Sequence, residues 1–286
     1  MLSTVAALNR LSSLDTIGIS DQPLTIAQEE SEALEQFYVN IKFSENRYIV
    51  TWPWRQYPPE LPSNLGLAFG QLKSLIKQHF EPSPEIFKIY AEILSTQIKE
   101  GIIEEIEYDH KTSGVHYLPH HPVIKPNKNT PIRIVYNGSA KTKGGKRLNQ
   151  CIYKGKNLLT DLCGIVLRFR LNDIVIYADI EHAYHQLLIA PSDRDYVRFL
   201  FVKDPLKPLT TDNIRLFRFL RVAFGIVASP FLLLAAIHYH LQKQTSPFKN
   251  QLIHNIYVDN LLPQYLIPKQ PQTYIMMPFT SSKSVV

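Results

Sequence analysis

The strongest constraint on this chain is a change of hydrophobic period near His116. Before it, apolar residues recur with helical spacing. Leu65, Ala68, Leu72, Leu75, Ile76 and Phe80 share one face, and Ile86, Ile89, Tyr90, Ile93, Leu94 and Ile98 share another. Ser83-Pro84 opens the second helix and Gly101 closes it. After His116, short apolar runs alternate with turn residues: Val123-Ile124, Ile132–Tyr136, Ile174–Ala178, Tyr196–Val202 and Ile214–Phe219. These read as strands, with turns at Asn137-Gly138 and Gly144-Gly145. Leu158–Arg170 and Pro230–Lys243 read as helices, and Gln251–Val258 as a strand ending at Asp259. Helices and strands mixed in this order predict an α+β fold.

The charge divides the chain further. Residues 1–109 carry 8 basic and 16 acidic residues, whereas residues 110–221 carry 19 and 8. A basic module of this kind suits a polyanion, since phosphate contacts supply most non-specific nucleic-acid affinity. A solvated basic surface is the plainer alternative. No apolar run reaches the length of a membrane span; the nearest, Val222–Ile237, contains Gly225, Ser229 and Pro230. No secretory signal is read at the N-terminus. Two cysteines, Cys151 and Cys163, argue against a disulfide framework and for an intracellular setting.

Two aspartates stand out. Asp179 follows Ile174–Ala178, and Asp259 follows Ile256-Tyr257-Val258, 80 residues later. A carboxylate at the end of a buried strand is costly unless paired or metal-bound. A single aspartate there is more often a turn or cap residue. Two on adjacent strand ends are what two-metal phosphoryl transfer requires. Asp161, Asp173 and Asp193 fit caps or turns better. His110, His116, His120 and His121 have no cysteines in ligand spacing, which disfavours zinc. No Gly-x-Ser-x-Gly supports a hydrolase.

Several segments carry a family resemblance. They are His116–Lys125, Arg133–Lys141, Leu167–Leu171, Ala178–Leu187, Phe224–Phe231 and Tyr257–Leu262, in order over residues 116–262. Together they resemble the reverse transcriptase of Bel/Pao-type LTR retrotransposon polyproteins, the last three matching its motifs A, B and C. The resemblance implies the fingers and palm of a right-hand polymerase, with an antiparallel palm sheet and flanking helices. Nothing after Leu262 resembles a thumb. It also implies a division into an acidic, loosely organised leader (1–62), a helical connector (63–109), fingers and palm (110–262) and an irregular tail (263–286).

Roles follow from the same resemblance. Asp179 and Asp259, with the Ile180 carbonyl, would ligate two Mg²⁺ ions, with Mn²⁺ as an alternative. Tyr184 matches the sugar gate, or is an ordinary packed aromatic. Arg133 and Lys125 would meet the triphosphate, or be solvated strand residues. Phe224 and Gly225 would lie under the template–nucleotide pair, glycine permitting close backbone approach. The expected partners are an RNA or DNA template, a primer, deoxynucleoside triphosphates and other polyprotein parts, in the cytoplasm and without a membrane. Asn260 stands where the family has a second aspartate, and an amide is a poorer metal ligand. A catalytically inactive nucleic-acid-binding remnant is therefore the alternative reading.

Overall fold

A computed structural model describes residues 25–108, 114–124, 132–171 and 177–262. The fold is mixed α+β, built from small sheets with helices packed around them.

Helix α1 (Ile26–Asn40) starts at a capping box. Thr25 accepts from the Gln28 N–H, and the Gln28 side chain accepts from the Thr25 N–H. Ala33 and Phe37 are buried, and Phe37 meets Phe231 and Tyr239 edge-on. A hairpin follows, β1 (Lys42–Ser44) and β2 (Arg47–Val50). The leader was expected to be loosely organised. From residue 25 onward it is instead an ordered part of the core, because Phe37, Tyr48, Val50 and Trp52 all bury their side chains there.

The two helical stripes form as expected. Helix α2 (Leu65–Leu75) continues into one wider π-turn at Ile76–Phe80. Helix α3 (Pro84–Lys99) has proline in its first turn, and Gly101 beyond its end takes φ +62°. The Ser83 side chain makes no capping bond. Both helices lie against a three-stranded antiparallel sheet, β3 (Ile103–Ile106), β9 (Ile214–Phe219) and β8 (Arg198–Val202), in the order β3-β9-β8. Every residue of β8 is buried. Phe80, Phe87 and Tyr90 pack on Phe201, and Phe199 packs on Phe217 and Phe219. Residues 196–197, expected to extend this strand, belong to a 3₁₀ segment (Pro191–Val197).

A second antiparallel pair, β4 (His120–Ile124) and β5 (Ile132–Tyr136), sets His120 opposite Tyr136. Helix α4 is the single turn Leu148–Cys151, and α5 spans Leu162–Phe169, shorter than the expected 158–170. Strand β6 (Ala178–Asp179) leads through a 3₁₀ turn (Ala183–Gln186) to β7 (Leu188–Ile189), which pairs with β2 in parallel. Helix α6 (Ser229–Lys243) is buried almost all round through its first half, residues 231–237.

The stretch 251–258, expected to be a strand, divides. Lys249–His254 is helix α7, and only Ile256–Tyr257 is a strand, β10. Short apolar runs do not separate helix from strand by period alone. The Asn255 side chain donates to the Gln251 carbonyl and its amide to the Leu252 carbonyl, which closes the helix before the strand begins. Among the described residues no helix is long and apolar enough to cross a membrane.

Candidate active site

The site is built where β6 meets a tight hairpin. Strand β10 turns at Val258-Asp259 into β11 (Asn260–Leu261), and β11 pairs antiparallel with β6. In that register Asn260 lies opposite Asp179, and the Ile180 N–H donates to the Asp259 carbonyl at 2.8 Å. Two segments 80 residues apart thus place Asp179, Ile180, Asp259 and Asn260 on neighbouring backbone. The hairpin requires φ +59° at Val258, a left-handed value that β-branched residues rarely adopt.

Asn260 links two of the neighbouring side chains. The Asn260 amide nitrogen donates to Asp259 Oδ1 at 2.9 Å, and Asn260 Oδ1 accepts from the Tyr177 hydroxyl at 2.7 Å. Both polar atoms of Asn260 are therefore engaged within the site. Asp179 is exposed and Asp259 half-buried. Residues 174–176 of the strand expected before Asp179 lie outside the described residues, and Asp179 itself is exposed with Tyr177 and Ala178, so its carboxylate has water at hand.

Tyr184 sits in the 3₁₀ turn after β6, half-buried, with its ring edge-on to Phe224 at 4.6 Å between centroids. Its hydroxyl is held above the usual tyrosine range, first by burial and then by the nearby Asp259 charge. Tyr184, Phe224 and Asp259 therefore form one neighbourhood. His185 lies behind them, its ring 5.6 Å from Phe224 and its backbone carbonyl bonded to Arg221. Burial, His182 and Arg221 push His185 down to about 4, so its ring is neutral near pH 7.

Phe224 is exposed and precedes Gly225, whose φ is +90°. A Cβ on Gly225 would overlap the Tyr136 carbonyl oxygen, so only glycine fits this approach. The contact joins the end of β5 to the segment before α6. Arg133 lies three residues up β5 from Tyr136, exposed and opposite Val123, about 10 Å from the contact at strand rise. Lys125 lies outside the described residues.

The other residues singled out in the sequence have clear environments. Asp161 caps α5, accepting from the Cys163 and Gly164 amides. Asp193 lies in the first turn of the 3₁₀ segment, as a turn residue should, but it is buried and accepts from the Trp52 N–H at 2.7 Å, tying the stretch after β2 to that segment. Burial pushes its carboxyl up. His116 Nδ1 contacts the Pro62 carbonyl, and His120 bridges the Tyr90 hydroxyl and the Leu200 carbonyl. His121 is exposed, His110 and Asp173 lie outside the described residues, and both cysteines are free thiols.

Asp179, Asp259 and the Ile180 carbonyl are hard oxygen donors of the kind Mg²⁺ takes. Among the described residues, no three His, Cys, Asp or Glu gather as a ligand group. A groove of about 840 Å³ lies elsewhere, lined by Phe69, Tyr108, Lys203, Leu209, Arg215 and Leu216 among others, and includes none of these residues.

Sequence reasoning did not single out Tyr177 or Asn149. Tyr177 carried no signal beyond a strand position. Asn149 sits in the one-turn helix α4, and its role depends on partners near residues 138 and 225.

No family model matches the chain, and no curated protein matches it. Among solved structures it is similar to the foamy viral protease-reverse transcriptase in complex with dsDNA, at a TM-score of 0.41 and 15% identity. That likeness covers 62% of this chain and 30% of the other, so this chain spans under a third of that polypeptide's length. A superposition this loose leaves the reading of the site to rest on its own residues.

Proposed function

We propose that this chain carries the fingers and palm of an RNA-directed DNA polymerase of the Bel/Pao retrotransposon type, acting on a primed template with deoxynucleoside triphosphates. The supporting observation is the meeting of Asp179 and Asp259 on adjacent antiparallel backbone, with Tyr184 and Phe224 beside them. An exposed carboxylate at the end of β6 and a half-buried one at the turn of the neighbouring hairpin suit a polyphosphate that brings its own oxygens.

In this reading Asp179, Asp259 and the Ile180 carbonyl would hold divalent cations, Mg²⁺ by donor type. When bound, these supply charge neutralisation to the triphosphate and to the attacking oxygen. The primer 3′-hydroxyl oxygen forms a bond to the α-phosphorus while the bond to the bridging oxygen breaks. Pyrophosphate leaves, and the hydroxyl proton passes to solvent. Tyr184, whose ring lies edge-on to Phe224, would be the gate against a ribose sugar in this reading. Arg133 and Lys125 would meet the triphosphate from the β4–β5 hairpin. Template, primer and other parts of a polyprotein are the partners, in a cytoplasmic setting.

A second reading has its own observation. Asn260 spends its amide on Asp259 and its carbonyl on Tyr177, so a third metal-binding oxygen is replaced by internal bonds. In that reading the chain is a silent remnant that binds nucleic acid without turnover.

Primer extension on an RNA template with Mg²⁺ separates the two, comparing the parent, Asp179→Asn and Asn260→Asp. The polymerase reading expects incorporation by the parent and loss of about two orders of magnitude or more in Asp179→Asn. No parental incorporation, with recovery in Asn260→Asp, establishes the remnant. Incorporation that survives Asp179→Asn removes the site assignment.

A further inference from the structure

Asn149 joins two loops that the sequence separates widely. Its backbone N–H donates to the Gly138 carbonyl at 3.0 Å. Its side-chain oxygen accepts from the Val227 N–H at 2.9 Å. Its side-chain nitrogen donates to the Gly225 carbonyl at 3.2 Å and to the Ser139 hydroxyl at 2.9 Å. One amide therefore uses both its acceptor and its donor end, one strand turn on one side and the Gly225 segment on the other.

The junction has no slack. A Cβ on Gly138 would come within 2.9 Å of both Asn149 Oδ1 and the Gly225 carbonyl, and within 3.0 Å of Ile226. Gly225 is itself pressed against Tyr136 with φ +90°. The residue carried on this clamped backbone is Phe224, whose exposed ring bounds Tyr184 edge-on and touches His185. Movement at residues 225–227 therefore moves the surface against which Tyr184 rests.

We propose that Asn149 is a positioning residue for nucleotide selection: it clasps the Phe224–Val227 segment to the end of β5, and through Phe224 sets the angle of the Tyr184 ring. The proposal rests on the polymerase reading, and Asn149 acts without touching substrate. The chemistry singles out asparagine. An aspartate loses both donors and turns an anionic oxygen toward the Gly225 carbonyl. A glutamine adds a methylene in a junction where Gly138 already leaves no room.

The test uses the full chain as Asn149→Asp, Asn149→Ala and the milder Ser139→Ala, which removes a single bond. Two readouts are taken: hydrogen exchange at the Val227 amide, and steady-state primer extension with deoxy- and ribonucleotides in Mg²⁺. Loss of one partly buried hydrogen bond is worth up to about a factor of ten in an opening equilibrium. Val227 should therefore exchange faster in Asn149→Ala, by up to about tenfold, while amides of the β8–β9 pair keep their rates. The KM for deoxynucleotide should rise about tenfold in both Asn149 variants, with kcat held within about threefold, and discrimination against ribonucleotides should fall. Ser139→Ala should give a smaller KM rise of about twofold in a protein that folds.

An unchanged Val227 rate overturns the clasp, whatever the enzyme does. Faster exchange with unchanged KM and unchanged sugar discrimination overturns the positioning role. No parental incorporation overturns the polymerase reading and the positioning role with it, while the exchange result still reports on the clasp. If both Asn149 variants fail to fold, a Ser139→Ala protein with parental KM and sugar discrimination overturns the proposal.

Discussion

Gly225 and Tyr136 touch backbone to backbone: there is no space for a side chain between the Gly225 Cα and the Tyr136 carbonyl oxygen. Gly225→Ala must satisfy both this overlap and φ +90°, and the carbonyl cannot move without dragging β5. Left-handed strain and overpacking each cost about 1–3 kcal/mol. We expect Gly225→Ala to lose about 3 kcal/mol in urea denaturation. A loss under about 1 kcal/mol would mean that the segment relaxes freely.

Val258 stores strain at the hairpin tip beside Asp259. A β-branched residue at φ +59° costs about 1–2 kcal/mol relative to glycine. Val258→Gly should therefore raise stability by about 1 kcal/mol, less than the full strain because glycine gains freedom in the unfolded chain. The same change should slow nucleotide incorporation several-fold, since Asp259 loses a rigid neighbour. Thermal denaturation and single-turnover extension on one preparation read both effects. A Val258→Gly protein that is less stable than the parent contradicts the strain.

His120 makes stability depend on acid. Burial pushes its imidazole down to about 4, the Leu200 carbonyl opposing and His121 assisting. The native ring is neutral, one nitrogen donating to the Leu200 carbonyl and the other accepting from the Tyr90 hydroxyl. In the unfolded chain its pKa is about 6.5, so between pH 6.5 and 4 the unfolded state binds more protons. Its contribution to stability is whole above about pH 6.5 and falls as pH drops toward 4, by about 3 kcal/mol in total at 1.36 kcal/mol per unit. Denaturation curves across this range should show a slope that His120→Gln lacks. Equal slopes in the two proteins would remove His120 as the cause.

Asp195 is shared by two arginines of the central sheet. Arg198, almost fully buried, bonds it at 2.9 Å, and Arg218 does so at the same distance while also bonding Glu104. Burial raises the Asp195 carboxyl, but the bonds and charges of Arg218 and Arg198 outweigh it and hold it below its ordinary value. Asp195→Asn leaves the Arg198 charge buried with a weaker partner. The expected cost is about 3 kcal/mol, the low end for breaking a buried pair because Arg218 keeps some solvent. Chemical denaturation showing a cost under about 1 kcal/mol would place the stabilisation elsewhere.

Much of the local structure was legible in the residues alone. Ile132–Tyr136 and Ile214–Phe219 form strands with the expected bounds, and the Pro84 helix starts where serine and proline announce it. Such signals are local: alternation, helical stripe and cap each act within a few residues. Where the local signal was weak, the reading failed. Lys249–His254 became a helix because Asn255 could close it, and α1 went unseen because Ala33 and Phe37 are its only fully buried apolar positions.

The candidate site divides along the same line. Asp179, Asp259 and Tyr184 were recognisable as residues, but that Asn260 faces Asp179 across a ladder is a fact of pairing over 80 residues. No neighbouring residue announces Asn149, whose side-chain partners lie at residues 139, 225 and 227. Sequence alone determined which segments could be helix or strand, through side-chain period and backbone preference. Tertiary structure decided which segments meet, because a strand edge or a side-chain amide is satisfied by whatever partner the packed core brings to it.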